Sequence, residues 1–224
     1  MNIKKTAITI SLLGCLACVA LAQVTKTTGG YLFRYKFLKG RVYTYTIVSS
    51  VSIPSSQKPL TINGPFVETV NGVKGTNGQI TVVFGPLSTG GKPAVAKTTR
   101  SFTETNLGGV ADAEDVQQMF MQLPEGPKKP GDTWTGQTSV AAMGSDSVVK
   151  AKYRFLGMTT VQGKPAARVA MTMTSVGSAN ASGTGTLVVL ADDGSLWSTE
   201  THLALTGTKA SSKPIKISMM MTRH

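Results

Sequence analysis

The stretch YLFRYKFLKGRVYTYTI, residues 31–47, alternates twice at period two. Tyr31, Phe33, Tyr35 and Phe37 share one parity; Leu32, Arg34, Lys36 and Leu38 share the other. Beyond a Lys39-Gly40 turn, Tyr43, Tyr45 and Ile47 oppose Val42, Thr44, Thr46 and Val48. Successive strand side chains point to opposite faces, so this alternation marks strands with one buried side. Two such runs around a short turn predict a hairpin. The segment YRFLG at 153–157 echoes YKFLKG at 35–40, again with aromatics on one parity and cations on the other.

Outward from this stretch the same period recurs. Strands are predicted over 60–70 (broken by Asn63-Gly64-Pro65), 79–84 after the Asn77-Gly78 pair, 94–105, 133–142, 149–155, 168–174, 184–190, 196–205 and 215–221. One segment departs from it. In ADAEDVQQMFMQLPEGP, Val116, Met119, Phe120 and Leu123 recur at three and four, Asp112 supplies a cap and Pro124 a stop, which predicts a short helix. The expected fold is mainly β: one large curved antiparallel sheet or half-barrel of about ten strands with one short central helix.

Composition agrees. Threonine is the commonest residue at 30, glycine follows at 24, and charged residues are only 15%. Threonine, valine and tyrosine suit a pleated, half-buried surface, and glycine suits turns.

The N-terminus bears on compartment. Lys4 and Lys5 precede an uncharged stretch over 6–21, and Ala20-Leu21-Ala22 forms an A-x-A site. This predicts a signal peptide over 1–22, removed before Gln23, and a single β-rich domain over 23–224. The stretch is too short for a comfortable transmembrane span. The competing expectation is lipidation at Cys15, since Leu12-Leu13-Gly14-Cys15 resembles a lipobox; the apolar residues 16–22 that follow argue against it. Cleavage after Ala22 would remove both cysteines, Cys15 and Cys18, and with them any disulfide or thiolate chemistry.

The formal charge of +12 falls to +10 without Lys4 and Lys5. Such a balance attracts anionic envelope surfaces such as lipid headgroups, lipopolysaccharide or acidic glycans, while nucleic acid is a poor partner for an exported chain.

Motifs with chemistry are few. The two histidines, His202 and His224, come with no nucleophile elbow and no H-E-x-x-H. GPLSTGGKP at 85–93 fails as a phosphate loop, because Pro86 stands where the first glycine belongs and Pro93 where Ser or Thr would hold magnesium. Met171, Met173, Met219, Met220 and Met221 could bind copper, yet without a neighbouring histidine or cysteine they read better as fillers of an irregular apolar space. No catalytic residue, metal or cofactor is assigned.

LPEGPKKPGDTWTG at 123–136, together with the opening aromatic stretch, resembles a family of exported bacterial β-rich proteins of unknown function, which carry an aromatic N-terminal hairpin and a central LP…PGDxW motif. The resemblance implies export and β architecture, not an activity. A helix beside a long curved sheet is also loosely similar to lipoprotein-carrier half-barrels. Within the motif, Gly131 is expected in a turn, Asp132 on turn amides, and Trp134 as a buried anchor.

The leading expectation is an exported, non-enzymatic β protein holding an apolar or amphiphilic ligand, such as a lipid, between sheet and helix. Met119, Phe120, Met171, Met173 and Met219 would line the cavity, with Arg34, Lys36, Lys150, Lys152 and Arg154 at an anionic rim. A structural envelope protein with a closed core is the alternative. An exported hydrolase is the third, to be revived by polar groups converging in a cleft.

Overall fold

A computed structural model describes residues 24–52, 54, 58–109, 121–139, 148–176, 180–206 and 213–224. These residues form fourteen strands: β1 (Val24–Thr27), β2 (Gly30–Phe33), β3 (Val42–Ser52), β4 (Leu60–Lys74), β5 (Asn77–Phe84), β6 (Leu87–Thr89), β7 (Lys92–Val95), β8 (Thr98–Glu104), β9 (Thr133–Ser139), β10 (Val148–Val161), β11 (Lys164–Val176), β12 (Asn180–Leu190), β13 (Leu196–Thr206) and β14 (Ile215–Arg223). The count exceeds the ten expected.

Twelve strands make one antiparallel sheet in the order β7-β6-β4-β3-β14-β13-β12-β11-β10-β9, with β5 on β4 and β8 on β5. The C-terminal strand β14 lies between β13 and β3 and so joins the two halves of the chain. The ends of the order, β7 and β9, do not pair among the described residues, so the sheet is open rather than a closed barrel.

Alternation places the core. Inward residues such as Tyr45, Phe66, Val70, Ile80, Phe155 and Val169 are buried, while their neighbours in sequence face out. At Gly64 an added Cβ would lie 2.6 Å from the Pro86 carbonyl oxygen; the missing side chain lets the 86–87 backbone close on β4. The expected break at Asn63-Gly64-Pro65 is therefore absent, and β4 runs through it. The turn before β5 is Gly75-Thr76, with Asn77 and Gly78 already paired to Lys74 and Val73.

The expected hairpin over 31–51 is corrected too. β2 pairs with β1, and β3 pairs with β14 and β4 instead. Residues 31–41 form a strap that binds many parts of the fold. Tyr31 and Lys128 exchange backbone hydrogen bonds at 2.8 Å, the Tyr35 amide donates to Asn106 O at 2.9 Å, Lys36 N to Asp193 O at 3.1 Å, and Gly40 N to Val70 O at 2.8 Å. Inside, Phe33 is fully buried, and Tyr31, Tyr35 and Phe37 pack against the core. Alternation placed the rings on one side correctly. It could not name the partner, because an extended strap and a paired strand bury alternate residues alike.

Most of the expected helix, including Val116, Met119 and Phe120, lies outside the described residues. Its last part is not helical: residues 121–124 run without regular structure, and Leu123 N donates to Leu107 O at 2.8 Å. Met121 and Leu123 are buried. Apolar residues two apart serve an irregular chain pinned by a distant carbonyl as well as they serve a helix. No helix occurs among the described residues, so none there is long and apolar enough to cross a membrane.

Candidate functional site

The PGDTW segment is a structural joint. Gly131 has φ 98°, a left-handed value that favours glycine, and its amide donates to Phe155 O at 2.7 Å. Asp132 Oδ2 accepts from the Lys129 amide at 2.8 Å and closes the turn. Trp134 is buried; its indole Nε1 donates to Gln122 O at 2.7 Å, and its ring stacks on Tyr153 with centroids 5.4 Å apart. Gly131 and Asp132 fix the turn against Phe155 of β10, and Trp134 holds the strand start against Gln122 and Phe33 of the strap.

Met171 and Met219 lie in one row of the sheet, and Met173 in the row two residues along. Register aligns Met171 with Gly185, Thr201 and Met219 across β11 to β14. Met171 and Met173 are buried, and Met219 is half-buried against the same core. The glycine leaves room that its neighbours fill: a Cβ at Gly185 would stand 3.2 Å from Met171 Cε and 2.9 Å from Thr201 Cγ2. These side chains behave as flexible filler.

Polar groups do converge on the inward face. Glu68, Glu104, Asp193 and Ser195 are buried, and with Tyr35, Tyr43 and Tyr45 they line a cavity of about 20 Å³ beneath the strap. That is space for about one water molecule. Burial, then Asp193, pushes the Glu68 carboxyl up to about 7, with Arg223 opposing. Burial, then Glu68, holds Glu104 well above the usual carboxylate range, and its Oε1 has no hydrogen-bond partner. Arg223 lies over the Tyr43 ring at 4.7 Å, donates to Ser195 Oγ, and approaches Asp193 Oδ2 at 3.6 Å. Burial, then Glu104 and Glu68, raises the Tyr35 hydroxyl well above its ordinary value; that hydroxyl donates to Met121 O at 3.2 Å. Among the described residues no group of three or more His, Cys, Asp and Glu side chains could hold a metal ion.

Of the five expected rim cations, two lie on the strap and three on β10. Arg34 is half-buried, and its guanidinium donates to the carbonyls of Phe33, Pro124 and Glu125. Lys36 lines the rim of the carboxylate cavity. Lys150, Lys152 and Arg154 are exposed at alternate positions on the outward face of β10. Arg168 and Lys216 add to that face, against one carboxylate among the described residues, Glu200. Among the described residues Arg223 pairs with Asp193 and Glu200 meets His202 at 3.2 Å, so no carboxylate engages the β10 cations.

Beside these cations the outward face carries a trough of about 570 Å³ across β11 to β14. One wall is the paired row Thr172, Thr184, His202 and Ser218; the other is Thr174, Ser182, Ala204 and Lys216. The floor is the row between them, at Met173, Gly183, Leu203 and Ile217. The next inward rows, with Met171 and Met219, take no part, so the trough opens on the outward face and not into the core.

No family model and no curated protein matches the chain. Among solved structures it is similar to a candidate exported protein with a YmcC-like fold from Bacteroides fragilis. The identity is 10%, the TM-score 0.39, and the match covers 86% of this chain and 99% of that one. At that similarity neither function nor site transfers.

The buried polar cluster went unread in the sequence, although a signal was there. Glu68 sits between Phe66 and Val70 at the inward parity of β4, and Glu104 follows Phe102 at the inward parity of β8. Arg223 continues the odd positions Ile215, Ile217, Met219 and Met221 of β14. A charge on the apolar parity of a strand must be paired or neutral. Asp193 gave no such signal, because Asp192-Asp193-Gly194 reads as an ordinary turn.

Proposed function

We propose that this chain is an exported, non-enzymatic β protein that docks on an anionic envelope surface through the outward face of its sheet. The observation that carries the reading is the row of exposed cations Lys150, Lys152 and Arg154 on β10, free of carboxylate partners among the described residues. Three like charges at alternate positions on one face repel one another, and an anionic partner relieves that repulsion. Export is supported by the signal-like residues 1–22, whose structure lies outside the described residues.

Two observations weigh against the other readings. The polar groups that would serve a hydrolase converge in about 20 Å³ under the strap, too small for a substrate. The inward face that would take an amphiphile is filled among the described residues by Phe33, Trp134, Phe155 and Met171.

Cosedimentation with vesicles containing phosphatidylglycerol tests the proposal. Binding is expected at low salt and should fall steeply as added salt shortens the Debye length below about 10 Å. A K150Q/K152Q/R154Q variant should bind weakly. Equal binding to neutral vesicles, insensitive to salt, would instead support the amphiphile reading.

A further inference from the structure

We infer that the outward trough of β11 to β14 is a binding site for a linear acidic polysaccharide. The inference rests on the anionic-surface reading above and names the chemistry of the partner.

The trough is shaped for a chain. Its walls are two residues apart along the strands, about 7 Å, and it crosses four strands, about 14 Å between the outer two. A volume of about 570 Å³ falls within the span of ligand clefts. A flat bilayer surface would rest on the walls without entering.

Its lining is shaped for sugars with charge. Thr174, Thr184 and Ser182 present hydroxyls, each able to donate and accept. The His202 ring is held between Ser218 Oγ at 3.0 Å and Glu200 Oε1 at 3.2 Å, which fixes its orientation in the wall. Cations stand at both ends. Lys152 pairs with Thr172 and Lys150 with Thr174, so both walls run on to a lysine on β10; Lys216 ends one wall on β14. No Phe, Tyr or Trp ring lines the trough, so a neutral sugar would find no broad stacking platform there, and the lysines favour carboxylates on the ligand. An acidic peptide is a poorer fit. The strands beneath are paired on both sides and offer no free edge to its backbone.

The test titrates the purified protein with linear oligogalacturonate. Neutral dextran oligosaccharide, a polyglutamate peptide and phosphatidylglycerol vesicles serve as comparisons. Ser182→Trp fills the trough without changing charge, and Thr184→Glu places a negative charge in its wall should the first variant fail to fold. The expected result is salt-sensitive binding of oligogalacturonate, none of dextran, and at least a tenfold loss in either variant. Vesicle binding by Ser182→Trp should be unchanged. If the variants keep full oligogalacturonate affinity while the β10 variant loses it, the trough is the wrong site and the anionic-surface reading stands. If polyglutamate binds as tightly and competes, the occupant is wrong. If the wild-type protein binds no anionic probe, both readings fall.

Discussion

The ring of Phe33 meets the ring of Phe155 edge to face, with centroids 5.1 Å apart and planes at 84°. Phe33 belongs to the N-terminal strap and Phe155 to β10, so the contact joins two elements more than a hundred residues apart in sequence. Tyr31 also packs on Phe155, at 5.5 Å, and Phe33 on Trp134, at 5.8 Å. In the echoing segments YKFLKG and YRFLG, Tyr35 and Phe37 pack against the core that contains Tyr153 and Phe155.

This contact predicts coupling. Phe33→Ala and Phe155→Ala should each cost about 3–5 kcal/mol, the usual range for a fully buried phenylalanine. A double-mutant cycle by urea denaturation should return a coupling of about 0.5–1.5 kcal/mol beyond the area lost. Strict additivity would mean that the strap does not hold Phe33 against β10 in solution.

Trp134 combines packing with one hydrogen bond. Trp134→Ala should cost about 3–5 kcal/mol. Trp134→Phe keeps much of the stack on Tyr153 but leaves Gln122 O without its indole donor, and should cost about 1–3 kcal/mol. A loss under about 1 kcal/mol for the alanine variant would indicate an exposed side chain.

The strands were legible because one buried face imposes period two on every strand, whatever its partner. Pairing was not. Tyr31 to Phe37 carry the same alternation as Tyr43 to Ile47, yet the first set belongs largely to a strap and the second to a central strand. The difference lies in which distant backbone accepts the amides: Lys128 and Asn106 for the strap, β14 and β4 for the strand. The candidate site was half legible. Lys150, Lys152 and Arg154 fall on the outward parity as expected, but the trough beside them needs four strands in register, a long-range property. Arg34 has the same parity pattern as Lys152 and a different fate, because loop carbonyls come within its reach.

The buried carboxylates predict that stability depends on pH. In the folded state Glu68 titrates near 7, against 4.5 for an ordinary glutamate. Between these values the folded protein holds more protons than the unfolded chain, so stability is full below about 4.5 and falls as pH rises through 7. Glu104, shifted in the same direction, extends the loss above 7. At about 1.4 kcal/mol per pKa unit the effect amounts to a few kcal/mol. Urea denaturation across pH 4–8 should show decreasing stability, and Glu68→Gln should flatten the slope. Stability rising with pH over this window would mean that the carboxylates are ionised and satisfied in the folded protein.

Arg34 offers the clearest separation of structure from binding. Its guanidinium donates to three backbone carbonyls and so ties the strap to residues 124–125. Hydrogen bonds from a charged donor are worth about 1.5–3 kcal/mol each in favourable cases, and the side chain is partly exposed, so Arg34→Ala should cost about 2 kcal/mol. Arg34→Lys keeps the charge but not the planar fork, and should recover little of that loss. Vesicle binding, by contrast, should be nearly unchanged in both variants, because the cations assigned to the anionic surface lie on the outward face of β10. Had Arg34 served as a rim cation, the pattern would reverse: stability kept, binding lost in the alanine variant, and binding restored by lysine. Measuring denaturation and cosedimentation on the same two variants decides between clamp and rim.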